Sequence, residues 1–145
     1  MKPSAHDDLP EVNFSEEGAI RHLHLGSIWI QGSMLMDEPT ALVHEYIQRM
    51  MAWLMLVDPS TAHQRQALQL GLGAGSLTKF CALEMCMRTT AIELNPQVLH
   101  ACRGWFHLPM DNPRMKVVLA DAGQEIRHKR WQGAVDALHL SLIHI

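Results

Sequence analysis

The sequence predicts an α/β protein: a parallel sheet flanked by helices and preceded by a small antiparallel β segment. Three observations carry that expectation. From Arg65 onward, strand-like and helix-like stretches alternate as β-α-β-α-β-α-β, the pattern of parallel strands joined by helical crossovers. The first of those strands runs directly into a glycine turn, Gly71-Leu72-Gly73-Ala74-Gly75. Before residue 37, apolar and polar residues alternate with a period of two between glycines, as in a half-buried antiparallel sheet.

Residues 1–38 make up the antiparallel region. Val12–Phe14 leads to a turn at Ser15–Gly18, and residues 19–26 (AIRHLHLG) and 27–36 (SIWIQGSMLM) continue the sheet, punctuated by Gly26 and Gly32. From Pro39 the spacing becomes helical, with Leu42, Tyr46, Met50, Trp53 and Leu54 three or four residues apart up to Asp58-Pro59. The helix and the polar stretch after it occupy residues 39–64, and the run MMAWLML reads as core packing.

Residues 65–140 hold the alternation itself: strand Ala67–Leu70, helix Ser76–Met85, a strand from Arg88 closing at Glu93, helix Asn95–Phe106, strand Met115–Asp121, helix Ala122–Trp131, and a fourth strand from Val135 to Leu140. Trp105, Phe106 and Trp131, at helix ends beside apolar neighbours, read as core aromatics. The last six residues, LSLIHI, resemble the in-frame translation of a transposase adaptor end used in sequencing libraries. Residues 141–145 are therefore expected to be a non-native tail.

Composition narrows the function classes. Hydrophobic residues at 48% against 19% charged describe a chain with a core to bury, and 145 residues suffice for one domain or for a small piece plus part of a larger one. A net charge of -3 with no basic stripe argues against nucleic acid as a partner. No stretch reaches the roughly 18 uninterrupted apolar residues of a membrane span, and the opening lacks a signal-peptide core, so no membrane partner and a cytoplasmic location are expected. Cys81, Cys86 and Cys102 are odd in number and form no C-x-x-C pair, which reads as reduced core thiols. His22 and His24 lie two apart on a strand without a carboxylate or cysteine nearby in sequence, so no metal site is expected.

The chemistry concentrates at the strand ends. Gly71 permits the tight turn leaving the strand, Gly73 a close approach of backbone to ligand, and Gly75 close helix packing. Glu93 stands 22 residues after Gly71, at the tip of the next strand, where a carboxylate can accept from both ribose hydroxyls. Asp121 closes the third strand beside the same crevice, where it can accept from an adenine amino group. Together these features predict a site for an adenosine-containing cofactor; on the residues alone a dinucleotide fits as well.

The motifs GLGAG, ELNP and LADA resemble the class I S-adenosylmethionine-dependent fold, which is Rossmann-like. Within it, the N-terminal strands with Gln31, HEYIQRMMAW, GLGAGS, ELNPQV and DNPRMKVVLADAGQEI together resemble the spermidine synthase (polyamine aminopropyltransferase) family over nearly the whole chain. The resemblance implies that Gln31 lies near the cofactor's tail, that Glu93 holds the ribose and that Asp121 contacts the adenine. With Gly71, Leu72, Gly73, Gly75, Leu94 and Ala122 they form the expected cofactor-binding set, and Tyr46, beside Glu45, is the substrate-binding candidate. The expected cofactor is decarboxylated S-adenosylmethionine or S-adenosylmethionine, acting as co-substrate, with no metal.

Two departures matter. The family's glycine turn usually carries an aspartate, facing the cofactor's aminopropyl amine, where Ala74 stands. The family's catalytic aspartate follows the fourth strand, where LHL runs into LSLIHI, so no catalytic residue is assigned in this chain. The expected function is aminopropyl transfer from decarboxylated S-adenosylmethionine to putrescine or a similar small amine, by a protein that is a homodimer when intact. The 145 residues are expected to be an inactive, marginally stable N-terminal fragment. A methyltransferase on the same fold and a non-catalytic adenosyl-nucleoside-binding module are the alternatives.

Overall fold

The computed structural model describes residues 9–140; the expected non-native tail, 141–145, lies outside the described residues. Strands β1 (Val12–Glu17), β2 (Ile20–Leu25) and β3 (Ile30–Leu35) form an antiparallel sheet in sequence order. Glu17 pairs with Ile20, leaving Gly18-Ala19 as a two-residue loop. The turn expected at Ser15–Gly18 is therefore displaced, because Gly18, with φ +58°, can enter the left-handed region without a Cβ penalty. Ser15 and Glu16 belong to β1, opposite His22 and Arg21.

The expected long helix is only a short α1 (Glu45–Met50), followed by 3-10 turns over Ala52–Leu56 and Pro59–Gln64. Met51, at φ −91° and ψ 7°, takes the chain out of α geometry, and a three-residue repeat then serves the same apolar spacing. The stretch read as a linker is thus helical too: Pro59 starts it, and Asp58 accepts from Ser60 N at 3.0 Å and Ser60 Oγ at 2.8 Å.

The second sheet is parallel, as expected: β4 (Gln66–Leu70), β5 (Arg88–Glu93), β6 (Met115–Leu119) and β7 (Ala137–Leu140), in the order β6-β5-β4-β7. Between them run α2 (Ser76–Lys79), which continues as a π turn over Phe80–Glu84, α3 (Pro96–Trp105) and α4 (Ala122–Glu125). Asn95 caps α3 by accepting from Gln97 N at 2.9 Å, with Pro96 in the first turn. The helix expected over Ala122–Trp131 breaks after one turn. The chain extends at His128 (ψ 138°), and the Arg130 guanidinium and Trp131 indole come back to the Glu125 carboxylate.

Alternation puts Ala67, Gln69, Ala91, Val117, Ala137 and His139 on one face of the parallel sheet. Most of the core lies on that face. One cluster joins Ala91, Met115 and Val117 to Val98, Cys102 and Phe106 near α3 and to Leu23 and Met34 of the small sheet. The other joins Ala67 and Ala137 to Leu77, Cys81, Ile47 and Met51. On the opposite face Leu68 and Ile92 are buried, whereas Leu138 and Leu140 are about half exposed.

Phe106 is fully buried, as read from sequence, but Trp105 is half exposed, lying against Phe14 with ring centroids 4.7 Å apart. Of the cysteines only Cys81 and Cys102 are core thiols; Cys86 is exposed. Three contacts tie the small sheet to the helices and the glycine turn beside the parallel sheet. Arg21 donates to the Trp105 carbonyl at 2.6 Å, Ser76 Oγ donates to the Ser33 carbonyl at 3.1 Å, and Gly32 packs against Ala74 so closely that a Cβ at position 32 would come 2.7 Å from the Ala74 Cβ.

Candidate functional site

The chain leaves β4 between strands whose crossovers run in opposite directions: β5 and β6 lie to one side, β7 to the other. Such a switch point opens a crevice at the carboxyl ends of the strands, and the glycine turn stands there. Gly71, Gly73 and Gly75 have φ values of +88°, +55° and +73°, a conformation that side-chain-bearing residues rarely adopt. Glycine here is demanded by the backbone path itself. The turn is held by Gly71 N donating to the Ile92 carbonyl at 2.8 Å and Gly75 N donating to the Leu72 carbonyl at 2.9 Å.

Glu93 is the keystone of this edge. Its side chain is buried; Oε2 accepts from Leu72 N at 2.9 Å and Oε1 from Asn95 N at 2.8 Å. One carboxylate thereby ties the glycine turn to the start of α3, and each oxygen retains a lone-pair direction for another donor. Leu94, next to it, is half exposed, while the Leu72 side chain is in the core and contributes its backbone at the crevice.

Asp121 is exposed and caps α4, with Oδ1 accepting from Gln124 N at 3.1 Å; Ala122 follows at the first helical position. The strand ends are bound together by Ala120 N donating to the Glu93 carbonyl at 3.0 Å. The acidic residues expected from sequence thus stand on adjacent strand ends, one buried and one open.

A second group meets on the other side of the turn. Gln31 of β3 and Tyr46 of α1 line a recess with Gly71, Gly73, Ala74 and Ser76. Its volume is about 30 Å3, enough to hold ordered water. The Gln31 side chain is buried, and its amide nitrogen has no hydrogen-bond partner among the described residues. A buried donor without an acceptor costs on the order of 1–3 kcal/mol, which a bound acceptor would recover. Tyr46 is more than half exposed, with its ring stacked on His44 at 5.7 Å, and its partial burial raises its pKa above the ordinary phenol value.

The recess also contains two side chains that the motifs did not single out, Gln69 and His139. Their side chains lie 3.3 Å apart, and His139 Nε2 accepts from the Trp53 indole at 3.2 Å. Burial lowers the His139 pKa, with a partial offset from the Met50 backbone. The available signal was a polar residue at the inward position of each buried strand, in ALQL and in ALHL.

Directly beneath the turn, Cys102 Sγ donates to the Gly73 carbonyl at 3.1 Å, and the fully buried Lys79 donates to the Phe106 carbonyl at 2.7 Å. Desolvation pushes the Cys102 thiol up to about 12 and lowers Lys79 to about 8. Among the described residues, no group of three or more His, Cys, Asp and Glu converges as a metal site would require.

No protein-family model matches the chain. The polyamine aminopropyltransferase of Neisseria meningitidis serogroup A is 40% identical over 124 residues, covering 85% of this chain and 46% of that protein. The chain spans about half the length of the curated relatives it matches. A probable spermidine synthase from Corynebacterium glutamicum superposes with a TM-score of 0.64 over 79% of this chain and 42% of that one, at 21% identity. A spermidine synthase in complex with the transition-state analogue AdoDATO superposes with a TM-score of 0.50 over 83% and 39%, at 19% identity. At those identities the structures show the fold, which is the Rossmann-like architecture with an antiparallel β segment that the sequence predicted.

Proposed function

We infer, from the homology of this chain to the polyamine aminopropyltransferases, that it forms the cofactor-binding part of an enzyme that moves the aminopropyl group of decarboxylated S-adenosylmethionine to putrescine or a similar small amine. The observation that carries the reading is Glu93, a buried carboxylate fixed by two backbone N–H groups at the switch point. In this reading its free lone pairs accept from the ribose hydroxyls, Asp121 accepts from the adenine amino group, and Gln31 meets the tail of the cofactor. Leu72, Leu94 and Ala122 flank the nucleoside, and Tyr46 borders the amine.

The reaction is a displacement at the carbon beside a sulfonium. The amine lone pair forms the new C–N bond, the C–S bond breaks, and its electron pair stays on sulfur as a neutral thioether; the amine gives up one proton. The protein must align the amine with the C–S bond and receive that proton. The complete protein, given putrescine and decarboxylated S-adenosylmethionine, is expected to form spermidine and methylthioadenosine. Folded protein that forms neither overturns the reading.

Ala74 favours a second reading, methyl transfer from intact S-adenosylmethionine, because the turn lacks the carboxylate expected to face the aminopropyl amine. Calorimetry with the two cofactors separates them: tighter binding of the decarboxylated form supports aminopropyl transfer, and tighter binding of the intact form supports methyl transfer.

A further inference from the structure

Of the side chains that line the recess beside the glycine turn, His139 is the one that can take up a positive charge; the others are Gln31, Tyr46, Gln69, Ser76, apolar residues and glycines. Its imidazole is buried between Gln69 of β4 and Trp53 of the 3-10 turn that follows α1. Those two neighbours fix the form of the ring. The Trp53 indole can only donate, and it donates to His139 Nε2 at 3.2 Å, so that nitrogen keeps its lone pair and the proton of the neutral ring sits on Nδ1. The Gln69 amide lies 3.3 Å from Nδ1, and a half-turn of the amide presents its oxygen as the acceptor. Thr78 Oγ1, 3.4 Å from the other side of the same amide, accommodates the half-turn because a hydroxyl both donates and accepts. A second proton on the ring would have to enter at Nε2, against the Trp53 N–H.

The titratable groups packed around the ring add no charge to the recess. Tyr46 of α1 shares it, and partial burial raises its phenol; Cys81 of the π turn touches Gln69 and is pushed up to about 12, so both are neutral. His44, stacked on Tyr46, is lowered by burial and by His22. Glu45 and Arg49 of α1 pair with each other at the surface at 2.6 Å, and Lys79 of α2 is engaged at the Phe106 carbonyl. Contact with the Met50 backbone favours the charged imidazole, but burial outweighs it and holds His139 below the ordinary histidine value.

We propose that Trp53, His139 and Gln69 form a charge lock, which keeps the wall of the recess uncharged so that a positively charged adenosyl sulfonium can lie on the glycine turn beside it. The inference rests on the adenosyl-cofactor reading and holds for the decarboxylated and the intact sulfonium alike. Gly71 and Gly73 belong to both the turn and the recess, so a ligand on the turn borders the imidazole's side of it. No part of the ligand has to enter the recess: an imidazolium would repel a sulfonium across several ångströms, because a buried charge is weakly screened. His139 is thus an electrostatic neighbour of the ligand, and Trp53 and Gln69 are positioning residues that act through it.

Two measurements on the complete protein decide it. Imidazole nitrogen NMR should show His139 neutral, with its proton on Nδ1, from about pH 8 to about pH 6, on both sides of the ordinary histidine value. A proton on Nε2, or a ring that becomes charged within that range, overturns the lock. Calorimetry then compares two probes at the same pH values. One is whichever of decarboxylated and intact S-adenosylmethionine binds more tightly; the other is methylthioadenosine, the same nucleoside on an uncharged sulfur. In Trp53→Phe, which frees the Nε2 lone pair, the sulfonium should bind about tenfold more weakly at the lower pH than at the higher, while methylthioadenosine changes less than about twofold. Adding His139→Gln, which cannot become charged, should abolish that pH dependence. Equal losses for the two probes mark a purely structural role for Trp53 and overturn the proposal, as does a sulfonium affinity in Trp53→Phe that does not change with pH. If the complete protein binds neither probe, the functional reading falls together with the proposal; a protein that makes spermidine but shows no charge-dependent loss in Trp53→Phe refutes the proposal alone.

Discussion

Replacing Glu93 by glutamine tests whether one carboxylate organises the crevice. Glutamine is nearly isosteric, but only one of its two terminal atoms can accept, while both Leu72 N and Asn95 N point at the side chain as donors. One bond survives as a neutral one, losing roughly 1 kcal/mol relative to its charge-assisted form, and one buried N–H is left facing an amide N–H, at about 1–3 kcal/mol. The expected destabilisation is about 2–4 kcal/mol, which for a domain of this size lowers Tm by roughly 10 °C. Urea denaturation followed by circular dichroism should show the lower midpoint with an unchanged m-value. Calorimetry with an adenosyl ligand should show at least about tenfold weaker binding, since the ribose loses its acceptor. A variant within about 0.5 kcal/mol of the parent would refute the claim that Glu93 holds the turn.

Three further outcomes follow from the packing and the buried ionisable groups. Gly32→Ala brings a Cβ to 2.7 Å from the Ala74 Cβ and 2.9 Å from its backbone nitrogen, so a loss of about 1–3 kcal/mol is expected in denaturant titration, only partly relieved by Ala74→Gly because the nitrogen remains. Lys79, at about 8 when folded against the ordinary lysine value of 10.5, binds its proton less well in the native state, so stability rises with pH from about 8. Cys81 and Cys102, raised to about 12 from 9.0, act oppositely above pH 9, so stability should peak near pH 9; the rise disappears in Lys79→Met. His44 and His139 are both lowered from 6.5 by burial, so their contribution is present above pH 6.5 and lost as the pH falls; His139→Gln should lessen the acid sensitivity, read as ΔG between pH 7 and 5.

Much of the fold was legible because its signals are local. The glycine turn, the strand-end acids and the β-α alternation each depend on a few consecutive residues, whereas the order β6-β5-β4-β7 depends on long-range pairing that no local signal specifies. Helix lengths were less legible. Apolar spacing over Leu42–Leu54 suits an α-helix and a 3-10 turn alike, and the break at His128 depends on Arg130 and Trp131 finding Glu125. At the candidate site, Gln31 and the residues of the turn and strand ends could be named from motifs, and Tyr46 only from its place beside Glu45 on the helix that follows the small sheet. Gln69 with His139 and Trp53 could not, since the set joins residues from different elements. No carboxylate adjoins His22 on its own strand, yet the hairpin around Gly18 brings Glu17 to 4.0 Å from it.

The contact between Gly32 and Ala74 has a wider consequence. With no Cβ on one side and a single methyl on the other, the small sheet and the glycine turn meet almost backbone to backbone. There is no layer of flexible side chains between them to absorb a displacement, so a shift of β3 is passed to the turn nearly undiminished. Position 32 is therefore expected to stay glycine during divergence, whatever the small residue at 74, and a small molecule that tilted the hairpin would reshape the glycine turn without entering the crevice.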